Sequence, residues 1–224
     1  MKTKIPMKRQ MNKIYRSVAE IRANEESRTI SGYAVVFDSW SRDLGGFFEI
    51  IRSSAITQEL LNESDVIMNI DHNDSLMLAR WKEGNGTLRL SLDEHGLAFE
   101  FDAPETERGN QVLWDVRNGN LFECSFCFAL PNNSTCQRWF RDEDGSLKRE
   151  ITQIAWLHDC SIVITAAYPA TSVDNRESID IEAIKRSLDA EDEAAKQAEE
   201  EKRINDIHNK LDEKLSNFYK NISL

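Results

Sequence analysis

The 224-residue chain has no apolar run near the ~18–20 residues needed to cross a bilayer. Its start, MKTKIPMKRQMNK, is basic but leads into no apolar stretch, so a secretory signal is not expected. Basic residues are too few for a nucleic-acid-binding surface to be the main business of the chain: 28 Lys+Arg against 39 Asp+Glu leaves −11. A G-x-S-x-G elbow is absent, which argues against the common α/β-hydrolase arrangement. No repeat of solenoid period is visible.

Cysteine is limited to Cys124, Cys127, Cys136 and Cys160. In a chain without a signal these read as free thiols. Cys124 and Cys127 have half of a zinc spacing, but they sit in FECSFCFAL, which reads as a strand. Residues three apart on a strand face opposite ways, and no second pair completes a site. Neither a metal nor a cofactor is expected.

What is present divides into three parts. Residues 1–24 form a basic lead-in, with Lys2, Lys4, Lys8, Arg9 and Lys13 before the first acid, Glu20. A solvated tail or a poorly tied first strand is expected there. Residues 25–173 read as the folded body. GTLRLSLDEHG puts Leu88, Leu90 and Leu92 on one face of a strand, and LAFEFDAPE pairs back through Glu94-His95-Gly96 as a hairpin over 86–104. RGNQVLWDVRNGN reads as a helix with Val112, Leu113 and Val116 inward and Gly119 near its end. Ser53 or Ser54 is expected to cap a short helix through Leu60-Leu61, and Asp144-Gly145 to turn a hairpin. DVIMNIDHND reads as a buried strand ending in polar residues, and AWLHDCSIVITAAYPAT as an apolar strand ending near Pro169. At least six strands with two short helices make an α+β domain with a mostly antiparallel sheet or barrel.

Residues 174–224 contain no glycine, proline or tryptophan and carry 14 acids against 9 bases, so they hold −5 of the net charge. They read as an acidic helical appendage. Ile204, Ile207, Leu211, Leu215 and Phe218 step by three or four, a narrow stripe suited to a weak coiled coil or to docking on a partner.

Histidine is scarce, and two of the four belong to apolar strands. His95 falls in the hairpin turn and His208 in the appendage, where both are expected at the surface. His72 and His158 lie in or at the ends of apolar strands, where each ring nitrogen needs a partner or a task. Ser125 stands within FECSFCFAL, and Asp159 is an acid within the apolar WLHDCSIVI. A serine hydroxyl becomes a nucleophile when an imidazole takes its proton, and that imidazole needs an orienting group on its other nitrogen. A Ser–His–acid trio from three strands accounts for all three oddities. Small packed serine and hydrogen-bonded structural histidine account for each one separately. Asp71 and Asp74 flank His72 and offer other orienting acids.

Four segments, in order, resemble the tailed-phage prohead serine proteases, a family related to the herpesvirus assemblins. They are ISGYAVVFDSW with GGFFEIIRSSAI; NIDHND; ERGNQVLWDVRNGNLFECSFCFAL; and LHDCSIVITAAYPATSV. The resemblance spans about 30–173. It implies a herpesvirus-protease-like fold for the body and a serine endopeptidase that needs no cofactor. Its implied substrate is scaffold or the N-terminal scaffolding region of the major capsid protein, and often the enzyme itself, cut in the host cytoplasm inside the assembling prohead. By position it makes His72 the general base, Ser125 the nucleophile and Asp159 the third member. His158 is the alternative, since strand alternation lets only one of the adjacent pair face the site. Oxyanion donors are expected in 161–168 or just after the strand of Ser125. The sequence departs from the family at Cys127, where glycine is usual, and at Ala166, where proline is common. Cys127 is expected on Ser125's face. A homodimer is implied by the assemblins; nucleic acid and membrane are not expected partners. The appendage would carry the enzyme into the shell and be trimmed by self-cleavage. A non-catalytic capsid assembly protein is the alternative reading, and a small-molecule hydrolase with the same trio a further one.

Overall fold

A computed structural model describes residues 14–18, 21–163 and 179–222. In chain order the first elements are β1 (Ile14–Val18), β2 (Ile21–Ala23), β3 (Thr29–Val36), β4 (Phe48–Ile51), α1 (Gln58–Glu63) and β5 (Asp65–Ile70). Next come β6 (Ala79–Lys82), β7 (Asn85–Gly86), β8 (Leu88–Leu92), β9 (Gly96–Asp102) and α2 (Glu107–Arg117). The last are β10 (Glu123–Ala129), β11 (Gln137–Arg141), β12 (Leu147–Ile151), β13 (Trp156–Val163) and α3 (Ile181–Ile222). The chain divides into two units, Met1–Ile179 and Asp180–Leu224.

The strands form three sheets, ordered β1-β10-β13-β5-β6-β7, β11-β12-β4 and β2-β3-β9-β8. The fold is α+β and mostly antiparallel, with β13–β5 and β12–β4 the parallel pairs. None of the sheets closes on itself among the described residues, so the barrel alternative is corrected to open sheets. Part of the expected basic lead-in belongs to these sheets: β1 pairs antiparallel with β10, placing Ser17 across from Ser125, and β2 pairs with β3. Lys2 to Lys13 lie outside the described residues, as do 164–178 with Ala166 and Pro169.

The largest sheet puts one face into the core. Cys124, Phe126 and Phe128 of β10, Cys160 and Ile162 of β13, and Val66 and Met68 of β5 all belong to one buried apolar cluster. By the period of two, Ser125 and Cys127, Asp159 and Ser161, and Ile67 and Asn69 share the other face. The hairpin is present as β8–β9, its turn held by Asp93 Oδ1, which accepts from the N–H groups of His95 and Gly96. Helix α2 buries Val112, Leu113 and Val116, and Thr106 Oγ1 caps it by accepting from Gly109 N at 3.2 Å. The expected cap at Ser53 or Ser54 is corrected. Those residues form a 3₁₀ turn, and Thr57 caps α1, its Oγ1 accepting from Leu60 N at 3.1 Å. The sequence from 57 to 60 supplies the cap that a reading from Ser53 overshoots.

In the β11-β12-β4 sheet two charge clusters tie strands together. Arg149 and Glu49 are paired across β12–β4 and meet at 3.1 Å with both side chains 1% exposed. Arg52 and Arg138 bracket Glu150, and Arg138 Nη2 lies 3.0 Å from its Oε2. The hydrogen bond from Arg52, then the charges of Arg52 and Arg138, hold the Glu150 carboxyl below the ordinary range against the opposing cost of burial. A carboxyl with a depressed folded-state pKa stabilises the fold above its unfolded value, about 4.3, and that contribution is lost as pH falls through the depressed value. Glu150→Gln is therefore expected to unfold at lower urea than the parent at pH 7, with the gap closing below about pH 4. A gap independent of pH in urea titrations at both pH values would contradict the assignment.

The second unit is the single 42-residue helix α3. Ile204, Ile207 and Leu211 are exposed on it. Leu215 and Phe218 of the expected stripe lie beyond the described side chains. No helix among the described residues is long and apolar enough to cross a membrane.

Candidate active site

The polar face of the largest sheet brings Ser125, His72 and Asp159 together. Ser125 lies on β10, 1% exposed, directly across from Ser161 of β13. Asp159 lies two residues before Ser161 on the same strand and is 2% exposed. His72 comes from the turn that ends β5. There Asn73 N donates to Ile70 O at 3.0 Å, and Asp71 and His72 have φ of 49° and 54°. Two successive positive φ values define a type I′ turn, usually occupied by Asn, Asp or Gly. A non-glycine residue held there costs about 1–3 kcal/mol, which surrounding contacts must offset. Asp71 N donates to Ile162 O at 3.1 Å, and His72 N donates to Ser161 Oγ at 2.8 Å. These bonds tie the turn to β13 and aim the imidazole across the sheet.

Two hydrogen bonds in series result. His72 Nε2 lies 2.7 Å from Ser125 Oγ, and His72 Nδ1 lies 2.7 Å from Asp159 Oδ1. A carboxylate can only accept, so Nδ1 carries the proton and Nε2 is left as acceptor for the Ser125 hydroxyl. The imidazole is 18% exposed and the carboxylate 1%, so the ring meets solvent while its anchor does not.

His158 is placed differently from expectation. Between Cys127 and Phe128 the β10–β13 register slips: β13 moves two residues, Asp159 to Leu157, while β10 moves one. His158 is the extra residue of a β-bulge, which suspends strict alternation. The idea that only one of the adjacent pair can face this region is therefore corrected. His158 Nε2 stands 3.4 Å from Asp74 Oδ1 and 4.0 Å from Asp159 Oδ2, with its ring stacked on Trp156 at 4.7 Å. Between the two candidates for the group on His72 Nδ1, the hydrogen bond goes to Asp159. Asp71 is exposed, and Asp74 meets His158.

Cys127 shares Ser125's face, directly opposite Asp159 in register, and is fully buried. Cys124 points into the core, where burial pushes its thiol pKa up, so the two thiols do not converge. His95 is exposed, edge-on to Tyr33, and His208 is exposed on α3. The expected oxyanion segment 161–168 lies outside the described residues from 164 onward. Sequence reasoning missed Ser161 and Asn69, and it named Asp74 only as an acid that could orient His72. Ser161 was accessible, because it stands two residues from Asp159 on one strand and so shares its face. Asn69, and the contact of Asp74 with His158, depend on the β5–β13 pairing and the His72 turn, which no local pattern announces.

A buried serine bonded to an imidazole that is itself bonded to a buried carboxylate is the geometry of a serine hydrolase. The chain belongs to the Caudovirus prohead serine protease family, whose model matches residues 17–187. Membership makes it a serine peptidase of capsid maturation, acting within the assembling capsid with capsid protein as its general substrate. No curated protein and no solved structure matches the chain.

Proposed function

We propose that Ser125 is the nucleophile, His72 the general base and Asp159 the orienting acid of this peptidase. Its substrates are then scaffold or the N-terminal scaffolding region of the major capsid protein, together with its own tail. The observation that carries the assignment is the pair of 2.7 Å hydrogen bonds in series through one imidazole. The Ser125 proton passes to His72 Nε2 as Oγ bonds to the peptide carbonyl carbon. The C–N bond then breaks, the leaving amine takes the Nε2 proton, and an acyl-enzyme remains. Water enters by the same route: its proton goes to Nε2, its oxygen attacks the ester, and Oγ recovers the proton. Asp159 holds Nδ1–H in place throughout and stabilises the imidazolium formed in each half. Each backbone N–H aimed at the oxyanion would add roughly 2.7–4 kcal/mol.

The test is intact mass after co-expression with the cognate major capsid protein. Wild type is expected to shorten the capsid protein and to shed mass from 174–224, and Ser125→Ala to do neither. Equal cleavage by both would remove Ser125 from the mechanism. A shortened capsid protein beside an intact tail would keep the peptidase and end the self-cleavage claim.

A further inference from the structure

Asp159 also belongs to a second constellation, whose other two members the peptidase reading does not use. One ligand atom from each of Asp74, His158 and Asp159 lies within 4.8 Å of the other two. The His158 nitrogen is 3.4 Å from the Asp74 oxygen and 4.0 Å from Asp159 Oδ2. Donors bonded at about 2.0–2.2 Å around one ion stand roughly 3–3.6 Å apart, so a small contraction would bring these three into range. The elements already converge: Asp159 and His158 come from the β13 bulge, and Asp74 from the 3₁₀ turn after His72. Stacking on Trp156 orients the His158 ring.

A buried amide supports the Asp74 side of the cluster. Asn69 is completely buried beside this cluster, and its Oδ1 has no hydrogen-bond partner among the described residues. A buried amide oxygen left without a donor is costly. Asn69 Nδ2 donates to Asp74 Oδ1 at 3.4 Å, which ties the buried amide to the cluster.

We infer that Asp74, His158 and Asp159 form a binding site for a first-row divalent cation whose occupancy slows the peptidase. One imidazole with oxygen donors suits Zn²⁺, whereas Mg²⁺ and Ca²⁺ favour all-oxygen sets. Cysteine spacing gave no reason to expect a metal; these ligands are assembled by a bulge and a turn. The inhibitory half rests on the catalytic roles proposed for His72 and Asp159. An ion on Asp159 Oδ2 draws charge from the carboxylate whose Oδ1 holds His72. It also places positive charge near the imidazolium that forms during the reaction.

Binding is read on full-length Ser125→Ala, freed of metal by a chelator and titrated with Zn²⁺ in a calorimeter. Co²⁺ serves as the spectroscopic probe of the same site. One Zn²⁺ per chain is expected, with affinity at least about tenfold weaker when Asp74→Ala or His158→Ala is added. Each variant's unfolding midpoint without metal shows that it is folded. No saturable Zn²⁺ binding, or equal affinity in folded variants, overturns the site. On wild type, one equivalent of Zn²⁺ is expected to slow capsid-protein cleavage and a chelator to restore it. Binding with an unchanged rate overturns the inhibitory half. Absence of cleavage with and without metal would instead count against the peptidase assignment, and the calorimetric result would still decide the site.

Discussion

Asp159→Asn is expected to lower kcat by about 10⁴-fold while changing KM little. The reason is tautomeric. Asp159 accepts from Nδ1–H of His72 at 2.7 Å, which leaves Nε2 bare toward Ser125. An amide of the same shape can turn its NH₂ toward Nδ1 and shift the ring proton to Nε2. The serine hydroxyl then faces a donor and has no base. The variant is nearly isosteric, so its unfolding midpoint in urea should stay close to wild type, and the loss reads as chemistry. His158→Ala removes an imidazole 4.0 Å from the far oxygen of the same carboxylate and should cost far less. The reverse ranking, with His158→Ala near inactive and Asp159→Asn near wild type, would make His158 the third member.

The largest effect on stability is expected far from Ser125, at Arg149. Its guanidinium is 1% exposed, 3.1 Å from an equally buried Glu49, and its Nε donates to Gln137 Oε1 at 2.7 Å. Its charge lies 5.2 Å from the Trp139 ring centre. Arg149→Met removes these donors and takes from the buried Glu49 carboxylate the guanidinium paired with it. Breaking a buried pair from one side costs about 3–5 kcal/mol. For a domain of this size that is roughly 6–20 °C in Tm. Glu49→Leu added to Arg149→Met removes the buried carboxylate as well, and should recover a large part of the loss. Thermal and urea unfolding of the single and double variants check both statements. A single variant within about 1 kcal/mol of wild type would mean that the pair is not desolvated in solution.

Much of the site could be read locally. Period-two alternation in FECSFCFAL separates Ser125 from its apolar neighbours, and the same rule separates Asp159 from Cys160 and Ile162. Hairpin β8–β9 and helix α2 follow from leucine alternation and helical spacing. What escaped is what depends on the register between distant strands. Nothing near His158 announces a bulge, because a bulge is defined by the partner strand, and so both His158 and Asp159 could not be placed on one side. The β13–β5 pairing is parallel and joins residues about 90 apart, so Asn69 met the site without warning, as did the contact of Asp74 with His158. Strand β1 lies in a basic stretch with weak alternation, and only its pairing with β10 makes it part of the sheet. Turn chemistry misled at Ser53, because Thr57 is an equally good cap placed where the helix starts.

The central claim is that His72 activates Ser125. The most direct measurement is intact and peptide mass of the native protein after exposure to a fluorophosphonate, which reacts with base-activated serines. Wild type is expected to gain one adduct, mapped to Ser125, while His72→Ala and Ser125→Ala gain none under the same conditions. An adduct on a different serine, or equal labelling of Ser125 in wild type and His72→Ala, would contradict the account.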